Sequence, residues 1–188
     1  MPKISVLGAG GWGMALAISA FKNGCDVTLW SPFEDEVKLL SEKRTNERLL
    51  KDIYLPEGIN ITTDLACVTG DTITIIATPS IAVAEVVEKL VKYSDIGIIV
   101  NVSKGFQKGS LKRLSQVVAD YLPNTPFVAL TGPSHAEEVA RNIPTSIVAA
   151  SESKAAAEIV QSIMSSDTLR IYTGGDLVGA ELGGALKN

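Results

Sequence analysis

Histidine and cysteine are nearly absent from this 188-residue sequence, which has one His and two Cys. Cys25 and Cys67 belong to no C-x-x-C pair, and His135 has no second imidazole to join, so no metal site is expected. The two thiols read as reduced structural cysteines rather than as a disulfide framework. Aromatic residues make up only 5% of the chain, poor material for stacking nucleic-acid bases. Positive charge is not clustered either. Seventeen Lys and Arg are scattered among 21 Asp and Glu, for a formal net charge of −4, which argues against a nucleic-acid or membrane-surface partner. No apolar run reaches the ~18–20 residues of a membrane span. The N-terminus has neither the basic n-region nor the apolar h-region of a secretory signal. A cytoplasmic protein is expected.

What the sequence does have is apolar mass in short pieces. Hydrophobic residues make up 46% of it, enough for one full core. Runs rich in β-branched residues occur at 3–8, 27–31, 72–77, 97–102, 126–131, 145–150 and 169–173, with a short one at 59–62. Several are apolar almost throughout, the pattern of strands covered on both faces. Helix-length segments alternate with them at 12–23, 33–44, 80–92, 110–121, 134–141, 153–165 and 175–187. Ser80, Ser110 and Ser153 stand where N-caps are expected, and Gly24 where a helix ends. This order predicts an α/β fold: a doubly wound, Rossmann-type, mostly parallel sheet with helices on both faces. Residues 1–188 read as one such domain. The small-residue segment 175–188 reads as the start of a helix that leads into a further domain.

The stretch GAGGWG places Gly8, Gly10 and Gly13 between a predicted strand and a predicted helix. In that context G-x-G-x-x-G has a mechanism: a tight turn at Gly8, room at Gly10 for a pyrophosphate, and close helix–strand packing at Gly13. The helix N-terminus then offers free N–H groups to phosphate. No Gly-Lys-Ser/Thr follows, so this is not a Walker loop. The acid that would hold an adenosine ribose is expected near the end of the second strand. That position is Ser31, followed by Pro32. Asp35 and Glu36 lie further on, inside the helix, so the choice between NAD and NADP stays open. Trp30 reads as a packing residue.

Ligands of doubly wound sheets sit beyond the carboxyl ends of the strands. The loops there carry Thr78-Pro79-Ser80, then Lys104-Gly105, then Gly132-Pro133-Ser134 and Ala136. Lys104 is the cation at a strand tip, able to attract a phosphate or polarise a carbonyl. Ser134 can meet a substrate or cap the next helix. His135 reads as a surface or packing residue.

Taken together, GAGGWG, NVSKG, TGPSHAEEVA and the closing GGALKN resemble the bacterial-type NAD(P)-dependent glycerol-3-phosphate dehydrogenases over essentially the whole chain. The resemblance implies interconversion of sn-glycerol 3-phosphate and dihydroxyacetone phosphate, feeding glycerophospholipid synthesis, with NAD or NADP as cofactor. It implies that Gly11 and Trp12 line the pyrophosphate and that Ser31, Pro79 and Ala136 meet the cofactor. It implies that Lys104 touches cofactor and substrate, that Gly132 and Ser134 meet the substrate, and that Lys187 gives and takes the proton. A cation beside Lys187 would lower its pKa, and Lys104 is the natural partner. Two departures from the family pattern stand out: His135 where an aromatic is usual, and Pro32 where a His or Arg is usual. The family's substrate-phosphate clamp, an Arg-Asn pair among others, would lie in a helical domain after residue 188. A chain without it is expected to bind dinucleotide and turn over little substrate. Oligomeric state is left open, with a homodimer of the longer protein as one option. The alternatives are another hydroxyacid or hydroxyacyl-CoA dehydrogenase of this architecture, or a non-catalytic dinucleotide-binding module.

Overall fold

The computed structural model describes residues 1–93 and 96–187. Eight strands alternate with helices: β1 (Lys3–Leu7), α1 (Gly11–Lys22), β2 (Asp26–Trp30), α2 (Glu34–Lys43), β3 (Asn60–Thr62), β4 (Ile73–Ile76), α3 (Val83–Leu90), β5 (Ile98–Asn101), α4 (Leu114–Tyr121), β6 (Phe127–Thr131), α5 (Ala136–Ala140), β7 (Thr145–Ala150), α6 (Lys154–Met164), β8 (Leu169–Gly174) and α7 (Leu177–Leu186). They form one sheet in the order β3-β2-β1-β4-β5-β6-β7-β8.

Strand periodicity explains the unbroken apolar runs. Ile4 and Val6 of β1, Ile73 and Ile75 of β4, and Ile98 and Val100 of β5 point into an apolar cluster shared with Met14, Leu16 and Ala17 of α1 and Val160 of α6. Leu7, Ile76 and Ile99, from the same strands, point the other way, into a cluster with Val83, Val87 and Leu90 of α3 and Val117 and Val118 of α4. Alternate residues thus serve opposite layers, so both faces of these strands are mostly apolar, and the buried Ser5 and Thr74 are hydrogen-bonded. Trp30 joins the second cluster, with its Nε1 donating to Thr63 O at 2.9 Å. It is a packing residue.

β6 and β7 are antiparallel, with Thr131 opposite Val148, whereas β1, β2, β3, β4, β5 and β6 run parallel. Helix length gives the reason. α5 has five residues and so rises only about 7.5 Å, too little to carry the chain back across the sheet. It therefore turns over at the same rim and descends. β8 is parallel to β7, so it too ends at the far rim.

Two expected helix starts are corrected. Ser80 is not an N-cap: it opens a short 3-10 turn, Ser80–Ala82, after Pro79, and α3 begins at Val83. Nor does a helix start at Ser110. Gly109 and Leu111 have φ of +90° and +55°, a conformation that no right-handed helix passes through. α4 begins instead at Leu114, where the Arg113 N–H donates to Gln116 Oε1 at 3.0 Å. Ser153 does cap α6, accepting from Ala156 N at 3.3 Å. Cys25 and Cys67 are both free thiols. Burial pushes the Cys67 thiol up to about 11, consistent with an inert structural role. No helix among the described residues is long and apolar enough to cross a membrane.

Candidate functional site

The parallel register of β2, β1, β4, β5 and β6 sends the loops after all five strands out at one rim. At its centre is the turn from β1 into α1. Gly8 N donates to Trp30 O at 2.9 Å, and Gly8 has φ +125°, where a Cβ would lie 2.7 Å from Ala77 O. A Cβ on Gly13 would sit 1.9 Å from Gly8 O, so helix and turn touch through bare backbone. Gly10 precedes the helix, no side chain caps it, and a Cβ there would meet nothing within 4 Å. The first turn of α1 thus begins on bare, uncapped backbone, with Gly10, Gly11 and Trp12 half-buried and Gly13 buried; a Cβ on Gly11 would lie 3.3 Å from Leu49 O. That uncapped, accessible helix end fits a dinucleotide pyrophosphate.

Neighbouring loops close around this turn. A Cβ on Gly11 would lie 3.7 Å from Ala136 Cβ at the start of α5. Ser103 Oγ donates to Thr78 O at 2.5 Å, tying the loop after β5 to the exposed Pro79. Lys104 is half-buried, and its Nζ donates to Gly132 O at 3.4 Å. The Ser134 hydroxyl turns onto the same carbonyl at 3.4 Å. It does not cap α5, whose N-cap residue is the exposed His135.

Lys187 arrives from the other end of the sheet. α7 starts beyond β8 at the far rim, capped by Asp176, which accepts from Gly179 N at 2.7 Å. It then climbs along β6. The climb is close because Gly184 has no side chain: a Cβ there would lie 3.1 Å from Thr131 Oγ1 and 3.9 Å from Lys104 Cγ. Lys187, just past the helix end, and Lys104 line one open cavity of about 540 Å³ with Gly132, Pro133, Val148 and Gly184. Asn188 lies outside the described residues.

Burial first, and the Lys187 ammonium second, hold Lys104 below the usual lysine range. Lys104 and Lys187 thus line the same cavity, near enough for the Lys187 charge to act on Lys104. If the lysines are reductively methylated and followed by carbon NMR, Lys104 titrates below the other lysines. In Lys187→Met it moves only part of the way back, since burial, the larger cause, persists. An unchanged Lys104 titration in that variant would show that the two cations do not sense each other.

No local sequence pattern points to what anchors α7. Glu181, in a helix otherwise of apolar and small residues, reaches across to the start of α4. Its Oε2 accepts from Arg113 Nη1 at 2.6 Å and Ser115 Oγ at 2.6 Å, and its Oε1 from Ser115 N at 2.8 Å. Its side chain is 7% exposed. Three donors, one of them a guanidinium, fully satisfy a carboxylate placed at a helix N-terminus. Glu181→Ala leaves Arg113 without its partner and is expected to lower unfolding free energy by roughly 2–3 kcal/mol. A urea transition with an unchanged midpoint would contradict this.

Residues 3–157 match the profile of the family described as NAD-dependent glycerol-3-phosphate dehydrogenase N-terminus. The chain belongs to this family. Curated relatives named glycerol-3-phosphate dehydrogenase (NAD(P)+) include one from a Thermoanaerobacter species, 47% identical, with the match covering 99% of this chain and 56% of the relative. Another, from Desulfitobacterium hafniense, is 43% identical, covering 100% and 54%. The crystal structure of glycerol-3-phosphate dehydrogenase from Coxiella burnetii superposes with a TM-score of 0.91 at 34% identity, covering 97% of this chain and 57% of that one. The chain thus spans a little over half the length of the dehydrogenases it matches. The family membership also removes the hydroxyacyl-CoA dehydrogenases from consideration.

Proposed function

We propose that this chain is the dinucleotide-binding part of an enzyme interconverting sn-glycerol 3-phosphate and dihydroxyacetone phosphate, with NAD or NADP. The observation that carries the reading is the meeting of Lys104 and Lys187 in one cavity on the rim that also presents the uncapped glycine turn. The nicotinamide cofactor supplies or takes up the hydride. The chain's own residues do the rest. Amides at Gly11, Trp12 and Gly13 hold the pyrophosphate, and Gly8 and Gly10 keep its approach open. Ser31, Pro79 and Ala136 border the nucleotide. Lys187 donates a proton to the oxygen of the reduced ketone and removes it in the reverse direction. Lys104 places a positive charge beside that oxygen, which stabilises it as charge develops. Gly132 and Ser134 line the substrate side.

The substrate is a small phosphorylated three-carbon compound whose phosphate is gripped by residues outside this chain, as the lengths of the relatives suggest. Alone, the chain binds dinucleotide and turns over little substrate. We place the enzyme in the cytoplasm, as a supplier of glycerophospholipid precursor that can pair as a homodimer at full length, without nucleic-acid or membrane partners. Fluorescence titration with NADH and NADPH tests the first step: saturable binding of at least one below about 1 mM is expected. Binding of neither would remove the reading.

A further inference from the structure

The relatives are named for either nicotinamide cofactor, and the ribose end of the site decides between the two. Gly8 N is bonded to Trp30 O, so Ser31 lies one residue beyond the bond tying the glycine turn to β2. Ser31 is 1% exposed, with its N–H donating to Thr62 O at 3.1 Å. Its hydroxyl accepts from Phe33 N at 3.3 Å and donates to Glu36 Oε2 at 2.5 Å. The half-buried Glu36 is therefore folded back from the first turn of α2 onto the end of β2, five residues upstream. Its other oxygen, Oε1, makes no hydrogen bond among the described residues, leaving an acceptor free.

In dinucleotide-binding sheets the adenosine ribose lies at this strand end. A carboxylate there accepts from the ribose hydroxyls, whereas a cation accommodates a 2′-phosphate. Ser31, Pro32 and Phe33 carry no positive charge. The turn that follows holds three carboxylates, Glu34, Asp35 and Glu36, all tolerated by the positive end of the α2 dipole.

We propose that Glu36, held against the end of β2 by the buried Ser31 hydroxyl, is the ribose-binding carboxylate and makes this chain select NAD over NADP. A 2′-hydroxyl donates to Oε1. A 2′-phosphate would press additional negative charge against the same oxygen, an arrangement that disfavours the wrong partner as well as favouring the right one. Sequence distance concealed the residue: Glu36 sits inside a helix, and only the strand-to-helix corner brings it back.

The inference rests on the dinucleotide binding proposed above, and one experiment separates the two. The 188-residue chain is titrated with NADH and NADPH by fluorescence, as wild type, Glu36→Gln and Ser31→Ala, with thermal melts to verify folding. Wild type is expected to bind NADH at least about tenfold more tightly than NADPH. Glu36→Gln brings the two within about threefold, chiefly through tighter NADPH binding. Ser31→Ala keeps the charge but frees its orientation, which weakens NADH and narrows the ratio. Raising the salt from about 20 mM to about 500 mM also narrows it, since this corner is open to solvent. Equal wild-type affinities, or a ratio unaltered by Glu36→Gln, overturn the assignment while leaving dinucleotide binding intact. Binding of neither nucleotide overturns both.

Discussion

Gly13→Ala is expected to abolish dinucleotide binding and to lower stability by about 3 kcal/mol or more. The added methyl would sit 1.9 Å from Gly8 O, and that oxygen belongs to the main chain, so no flexible side chain can swing aside. Either α1 lifts from the sheet or the turn at Gly8 opens. Lifting α1 would disturb Met14, Leu16 and Ala17, all fully buried. Opening the turn would disturb a glycine held at φ +125° between Trp30 O and Ala77. Gly10→Ala provides the contrast. Its methyl meets nothing within 4 Å, so stability should change by no more than about 1 kcal/mol, yet the methyl enters the space a pyrophosphate needs. Nucleotide affinity then falls about tenfold or more. Urea unfolding and NADH titration on both variants read the two effects apart. A Gly13→Ala chain that folds and binds like wild type would contradict the close helix–turn contact.

The second large effect concerns Lys187. A fusion joins residues 1–188 to the part of the Thermoanaerobacter relative that lies beyond the match. In that fusion Lys187→Ala is expected to lower kcat for dihydroxyacetone phosphate reduction by about 10²–10⁴-fold, the range of a lost general acid. The KM for NADH should be little altered, because the turn at 8–13 proposed to hold the nucleotide is separate from α7. Small external amines should restore part of the rate at high concentration. Full activity in the variant would clear Lys187 of the proton role. A matching rise in the KM for NADH would mean instead that α7 supports the nucleotide site.

Some of this was legible before any coordinates. Unbroken apolar runs such as 72–77 announced strands covered on both faces, and three glycines between a strand and a helix announced the turn. The strand-tip position of Lys104 followed from the same pattern. Other features depended on geometry that no local pattern encodes. The reversal of β7 comes from α5 being too short to cross the sheet. The late start of α4 comes from Leu111 at φ +55°, an uncommon conformation for a branched residue. Glu181 and Arg113 are 68 residues apart in sequence, and although both Ser31 and Glu36 can be picked out in the sequence, nothing there shows that the Ser31 hydroxyl folds Glu36 back. Side-chain polar contacts of this kind have no periodicity to betray them.

An amide-resolved NMR titration of the 188-residue chain with NADH tests most directly whether one rim of the sheet holds the dinucleotide. Shift changes are predicted at residues 8–13, 31–36, 78–80, 103–105 and 132–136, the loops that leave the carboxyl ends of the parallel strands. Changes concentrated instead at the far rim, around Pro123–Pro126 and Ser151–Ser153, would contradict it.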